Sequence, residues 1–276
     1  MPLSRNLLTL HRLLLLVALA VIVTGCARGW KVSQFKTNDE LFAASLRELR
    51  ARHWDNAIAG FERLTQVLPA RDAKMPVALF HLAQAHEGKR EYILAATTYT
   101  RLSESFPDDS LGDDAIYRAG RSYARLWKKP PLDASYGETA LATFKTLLDI
   151  YPNSELRDDA QREMERLNNW MALKTFENGM HYYRRKAYES SLIYFGDVVR
   201  LYPETPTARE AMVQMVHAYR RINYQAEARE ACEDLRTRYA GDRAVVSLCG
   251  TSPAQPADST KTTAETPAPR PAPPTP

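Results

Sequence analysis

The sequence predicts an all-α solenoid of five helical hairpins, with a long helix joining the first three to the last two. Three observations predict it. One apolar pattern with spacings of four, three and four residues recurs five times between Asp39 and Gly241. In four of the five copies a proline follows at once. A small residue stands twelve positions upstream in the evenly spaced copies. Residues spaced in this way share one face of a helix, and a proline ends that helix because it lacks an N–H and clashes with the preceding turn.

The copies read as follows. The first carries Ala57, Phe61, Leu64 and Leu68-Pro69; the second Ala95, Tyr99, Leu102 and Phe106-Pro107. The third carries Ala140, Phe144, Leu147 and Tyr151-Pro152; the fourth Ser191, Phe195, Val198 and Tyr202-Pro203. A degenerate fifth has Ala228, Cys232, Leu235 and Tyr239-Ala240. A partner helix precedes each, marked by Ser45, Ala83, Gly120 and Gly179, with Tyr123, Tyr182 and Tyr219 as its aromatic residues. Small residues let two helices approach while an aromatic ring fills the gap. The pattern resembles the tetratricopeptide (TPR) repeat, with its period of about 34 residues.

Ahead of the repeats, Arg5 and Arg12 precede an uncharged apolar run from Leu13 to Val23, then Thr24-Gly25-Cys26. This is the layout of a secretory signal peptide, and it falls short of the roughly 20 apolar residues of a membrane span. Val23-Thr24-Gly25-Cys26 resembles the lipobox of bacterial lipoproteins. That resemblance implies cleavage after Gly25 and lipid on Cys26, with residues 26–37 as a lipidated linker. Ala27, where an aspartate would retain the protein, implies the periplasmic face of the outer membrane.

Removing residues 1–25 takes away Arg5 and Arg12 and no acid, so the formal charge falls from +4 to +2. A nearly balanced chain does not read as a nucleic-acid binder. Of the two remaining cysteines, Cys232 occupies an apolar helix position and Cys249 lies beyond the repeats. The periplasm is oxidising, so a disulfide is open to them; the preferred reading is a packed Cys232 and a loose Cys249.

Two irregularities stand out. Trp127-Lys128-Lys129-Pro130-Pro131-Leu132-Asp133 lengthens the third hairpin, and its paired prolines predict a protruding loop. Ser154 reads as an N-cap for a helix from Glu155 to about Arg185, able to orient two binding surfaces. The segments are then 38–153 for repeats one to three and 154–250 for the long helix with repeats four and five. Residues 251–276 hold eight of the 17 prolines and no aromatic residue, a composition that predicts disorder.

Tyr151-Pro152-Asn153-Ser154, Asp159-Ala160, Arg162, Leu167, Ala172 and Glu177 follow in order, then Tyr182-Tyr183, Arg185, Ala187-Tyr188, Tyr202-Pro203-Glu204-Thr205 and Ala218-Tyr219. This run, with the loop before Ser135-Tyr136, is similar to the BamD/ComL family of outer-membrane lipoproteins with five TPR units. The resemblance spans Asn38 to Gly241. It implies service to the machinery that inserts β-barrel proteins into the outer membrane. The C-terminal repeats would grip the POTRA domain of a BamA-type subunit, and the N-terminal repeats would receive C-terminal segments of unfolded barrel proteins. Tyr194 stands where family members can carry a BamA-contacting arginine. The Pro-rich tail after Leu248 also departs from compact members.

In TPR solenoids the first helix of each pair lines the concave face. Counting from the small residues places Phe80, Gln84 and Glu87 in the N-terminal groove, with Arg118 and Arg121 near it. An extended segment ending in an aromatic residue and a carboxylate suits such an apolar groove with a basic end. Phe80 and Tyr117 suit packing better than ligand contact. Arg184-Arg185 and Arg220-Arg221 are candidates for a basic docking surface, although such runs more often belong to solvated helix faces. No Gly-rich phosphate loop, His-Glu-x-x-His or paired-cysteine metal spacing occurs. His81 and His86 are five apart, off a common face. The expectation is a non-catalytic adaptor with no metal, and no cofactor besides the lipid on Cys26. The alternative is a TPR lipoprotein of the Tol–Pal system or of cell-wall synthesis.

Overall fold

The computed structural model describes residues 30–250; the signal segment, Cys26 and the tail 251–276 lie outside them. Among the described residues there are eleven α-helices, one short 3-10 turn and no strand. The chain divides into two compact units, one up to Glu177 and one from Asn178.

Unit one contains α1 (Asn38–Arg50), α2 (Trp54–Val67), α3 (Lys74–Gly88), α4 (Tyr92–Ser105), α5 (Gly112–Leu126) and α6 (Ser135–Ile150), and the larger part of α7 (Arg157–Arg184). From α1 to α6, each helix packs on the next in sequence, and α1 also reaches α3. These are three stacked hairpins. The recurring apolar residues are the core: Ala57, Phe61, Leu64, Ala95, Tyr99, Leu102, Ala140, Phe144 and Leu147 are all 0% exposed. Each second helix stops one residue before its cap, at Leu68, Phe106 or Tyr151, and the proline comes next. The small residues work as expected. Ser45 and Ala83 are fully buried, and a Cβ on Gly120 would lie 2.7 Å from the Phe144 ring.

The linker expectation for residues 26–37 fails from Trp30 onward; residues 26–29 lie outside the described residues. Trp30, Val32 and Phe35 pack on the core of unit one, and the rings of Trp30 and Phe35 meet at 5.7 Å. The Trp30 ring lies 2.9 Å from where a Gly60 Cβ would stand, so only glycine admits it there. Thr37 then caps α1 by accepting the Glu40 N–H at 3.1 Å, and the Glu40 carboxylate accepts the Lys36 N–H at 2.9 Å. The first bond satisfies a donor that a helix start leaves open, and the second fixes the chain just ahead of the cap.

The protruding loop of the third hairpin is corrected in part: Lys128, Lys129 and Pro131 to Asp133 are exposed, but its first residue is not. Trp127 is 2% exposed, edge-on to Trp170 with ring centroids 5.4 Å apart. Lys174 donates to the carbonyls of Leu132 at 2.7 Å and Pro131 at 3.3 Å. The prolines do break the helix, but burial of an indole ring and two backbone caps draw the loop onto α7. Ser154 accepts the Leu156 N–H at 3.1 Å, and α7 begins at Arg157 rather than Glu155.

Unit two holds the end of α7, then α8 (Tyr188–Leu201), α9 (Pro206–Arg221), α10 (Gln225–Arg238) and α11 (Arg243–Cys249). Phe195 lies under Gly179, whose Cβ would be 2.6 Å from its ring. In the fifth hairpin Val216, fully buried, takes the place of the small residue.

One device recurs in hairpins one, two, four and five. The turn between the helices puts Arg52, Arg90, Lys186 and Asn223 at φ of 61–67°. The next residue's N–H bonds five residues back: His53 to Glu48, Glu91 to His86, Ala187 to Tyr182 and Tyr224 to Tyr219, at 2.9–3.1 Å. This Schellman closure satisfies terminal carbonyls but puts side chains where glycine is at ease. Lys186→Gly and Arg52→Gly are each expected to raise stability by about 0.5–1 kcal/mol, measured by urea denaturation.

Cys232 and Cys249 form a disulfide, with Cα atoms 5.4 Å apart. This overturns the preferred reading of a loose Cys249. The bond fastens α11, a helix the repeat pattern did not reveal. Val245 packs with Met212 and Leu235, and Arg236 donates to the Cys249 carbonyl at 2.8 Å. Asp242 caps α11 by accepting N–H groups of Ala244 and Val245 and pairs with Arg209 at 2.7 Å.

The Arg209 guanidinium first, and the Val245 N–H next, hold the Asp242 carboxyl below its usual 3.8. A lowered folded-state pKa means stabilisation that is complete above the unfolded value and lost as pH falls through the folded one. The stability difference between wild type and Asp242→Asn is therefore expected to shrink as pH drops below about 4, measured by thermal melts across pH 3–7.

Candidate functional site

The first helices of the three hairpins in unit one, with Trp54 at the start of α2, supply a cleft of about 350 Å³, walled by Leu49, Trp54, Gln84, Glu87, Arg118 and Arg125. Gln84 and Glu87 share a face of α3, and Arg118 and Arg125 are two turns apart on α5. Gly88 permits the cleft floor: a Cβ there would lie 2.6 Å from the Trp54 ring.

Glu87 is its electrostatic centre. Its carboxylate accepts the Tyr99 hydroxyl at 3.2 Å and lies 3.2 Å from Arg125 and 3.7 Å from Arg118. Arg118 is anchored further by Asp114 at 2.9 Å. Burial, then the Glu87 charge, push the Tyr99 phenol far above its ordinary pKa, so it stays a neutral donor. The guanidinium groups also cover aromatic faces, Arg118 over Phe80 and Arg125 over Tyr92, each at 5.4 Å. Such cation–π contacts hold the charges at the rim of an apolar floor.

Of the residues expected here, Gln84, Glu87 and Arg118 line the cleft. Phe80 is 6% exposed and serves as the shelf beneath Arg118. Arg121 lies over Tyr117 at 5.8 Å and lines a neighbouring cleft. Leu49, Trp54 and Arg125 were missed; the spacing of Arg118, Arg121 and Arg125 was the available signal. His86 is 5% exposed and bonds to Glu91 at 2.8 Å, not to Glu87.

In unit two, Arg184 and Arg185 end the first helix of one hairpin, and Arg220 and Arg221 that of the next. Basic groups there complement the negative end of the helix dipole. Arg220 donates to the Leu248 carbonyl at 3.0 Å, which ties it to α11. Arg185 and Arg221 are exposed. Tyr194, where the family can place an arginine, stacks on Tyr182 at 5.2 Å and 11°.

Helical hairpins closed by small-residue contacts, with a charged, aromatic-floored groove along their first helices, define a TPR-type repeat protein. The chain belongs to the YfiO family of outer membrane lipoproteins, whose model matches residues 34–235. It is similar to proteins named outer membrane protein assembly factor BamD. That of Xylella fastidiosa (strain Temecula1) is 24% identical, covering 83% of this chain and 82% of the relative. That of Vibrio cholerae is 25% identical over 75% and 89%, and that of Caulobacter vibrioides 24% over 82% and 75%. Among solved structures, the TPR2AB domain of yeast Sti1 overlays with a TM-score of 0.38 at 16% identity, covering 73% of this chain and 77% of that one.

Proposed function

We propose that the protein is a lipid-anchored, non-catalytic adaptor in assembly of outer-membrane β-barrel proteins. The observation that carries this reading is the family match over residues 34–235, joined by relatives that are named assembly factors and matched over most of their length. Lipid on Cys26 holds the chain to the periplasmic face of the outer membrane. Three residues lie between Cys26 and Trp30, the first described residue, so the four steps of the tether reach at most about 14 Å. The first hairpin therefore works close to the membrane surface.

In this reading the basic helix ends of unit two, with Arg185 and Arg221, dock on a POTRA domain of a BamA-type barrel protein. The cleft around Glu87, Arg118 and Arg125 receives extended segments of unfolded barrel substrates. Its apolar floor and rim of paired charges suit an extended peptide carrying alternate apolar side chains.

The test is affinity capture of the lipidated chain from detergent-solubilised membranes, followed by mass spectrometry. A POTRA-bearing barrel protein in near-stoichiometric amount is the expected result. Recovery of Tol, Pal or cell-wall synthases without such a barrel would overturn the reading. Cys26→Ser is expected to move the protein out of the membrane fraction.

A further inference from the structure

A second cleft in unit one, of about 320 Å³, lies between α5, the loop after it, and α7. Arg121 and Arg125 of α5, Lys128 of the loop and Arg166 of α7 line it, against one acid, Glu163. Two of these cations are already matched: Arg166 pairs with Glu163 at 2.8 Å and Arg125 with Glu87 at 3.2 Å. Arg121, half-buried, and Lys128, exposed, have no carboxylate within ion-pair distance among the described residues. Two positive charges are therefore left over at one place.

The walls add chemistry that a merely solvated basic face lacks. Trp127 and Trp170 form an edge-to-face pair, and the Arg166 guanidinium covers the Trp170 ring at 5.2 Å. Trp127 is 2% exposed and its indole N–H has no hydrogen-bond partner. A buried donor left unmatched costs free energy, and the residue that carries it lines a cleft with surplus positive charge.

We propose that this cleft is a carboxylate subsite for polypeptide, in which Arg121 and Lys128 hold the oxyanion and the tryptophan pair packs the apolar part of the same segment. A guanidinium fork matches a carboxylate in two parallel bonds. Arg125 belongs to both clefts, so a chain lying along the Glu87 groove continues into this one. That continuity favours a peptide over a lipid headgroup, which has no use for the groove. The carboxylate comes from a Glu or Asp side chain or from a chain terminus. The proposal rests on the groove being a polypeptide site but not on which assembly the protein serves, so its test and the capture experiment fail separately.

The four tryptophans of the sequence are Trp30, Trp54, Trp127 and Trp170, so the indole N–H signals of the lipidated, 15N-labelled chain in detergent micelles are few and assignable. Three peptides of one apolar sequence serve as probes: one with a single Glu and an amidated end, one with Gln and a free terminal carboxylate, one with Gln and an amidated end. A carboxylate-bearing peptide is expected to shift the Trp127 and Trp170 signals and leave Trp30 in place. The peptide that binds more tightly identifies the source. Arg121→Gln and Lys128→Gln should each weaken binding roughly tenfold, and Arg121→Lys, which keeps the charge but not the two-bond fork, should restore only part of it, with the Trp30 signal reporting an intact fold. The neutral peptide shifting Trp127 equally, or affinity unchanged in Arg121→Gln, would overturn the proposal. So would inorganic phosphate or micelles doped with phosphatidylglycerol giving the same shifts at lower concentration than the peptides.

Discussion

Phe144→Ala is expected to destabilise unit one by about 3–5 kcal/mol. Phe144 is 0% exposed and its ring fills the space that Gly120 leaves, touching Tyr117 as well at 5.9 Å. Truncation removes the transfer free energy of the ring and opens a cavity between α5 and α6 that stacked hairpins cannot easily close. The converse substitution, Gly120→Ala, gains about 1 kcal/mol of helix propensity. It also drives a Cβ to 2.7 Å from the ring, an overpacking that costs about 1–3 kcal/mol. The two changes are therefore coupled. In the double variant the added methyl group enters the cavity, and the combined loss should fall short of the sum by at least about 1 kcal/mol. All four tryptophans lie in unit one, so their emission during urea denaturation follows that unit alone. Strict additivity would mean that Phe144 and Gly120 are not a packing pair.

Cys249→Ser is expected to lower the stability of unit two by about 3 kcal/mol, the loop-closure entropy of a 17-residue link. A helix of seven residues does not stand alone in water, so α11 depends on what fastens it. Val245, the Arg209–Asp242 pair and the bonds from Arg220 and Arg236 remain in the variant, and α11 should loosen rather than vanish. Reductant should bring wild type to the variant's stability and leave the variant unchanged, as read by circular dichroism. Equal stability of reduced and oxidised wild type would show that packing alone holds α11. Cys249 is the better choice because Cys232 is 5% exposed and part of the core.

Both predictions join a feature that could be read along the chain to one that could not. Phe144 was legible as core from the four-three-four spacing, and Gly120 as its partner from the repeat register. Both are local consequences of helical periodicity. The disulfide was not legible. Cys232 fits an apolar helix position with or without a bond, and only the return of α11 over α10 brings Cys249 to 5.4 Å between Cα atoms. The linker was misjudged for a similar reason. Nothing near Trp30 in sequence reveals that Gly60, thirty residues on, leaves room for its ring.

The sequence by itself determined that the chain is a row of helical hairpins, where each second helix stops, and which face of each is buried. Those follow from spacing, from proline and from the absence of side chains at Gly120 and Gly179, all of which act within a few turns. Tertiary structure alone decided the rest. Trp127 is core rather than loop because Trp170 lies across from it. Glu87 is the hub of the groove because Tyr99, Arg118 and Arg125 converge on it from two other helices. Contacts of this kind depend on how one helix settles on another, and a one-dimensional pattern does not carry that geometry.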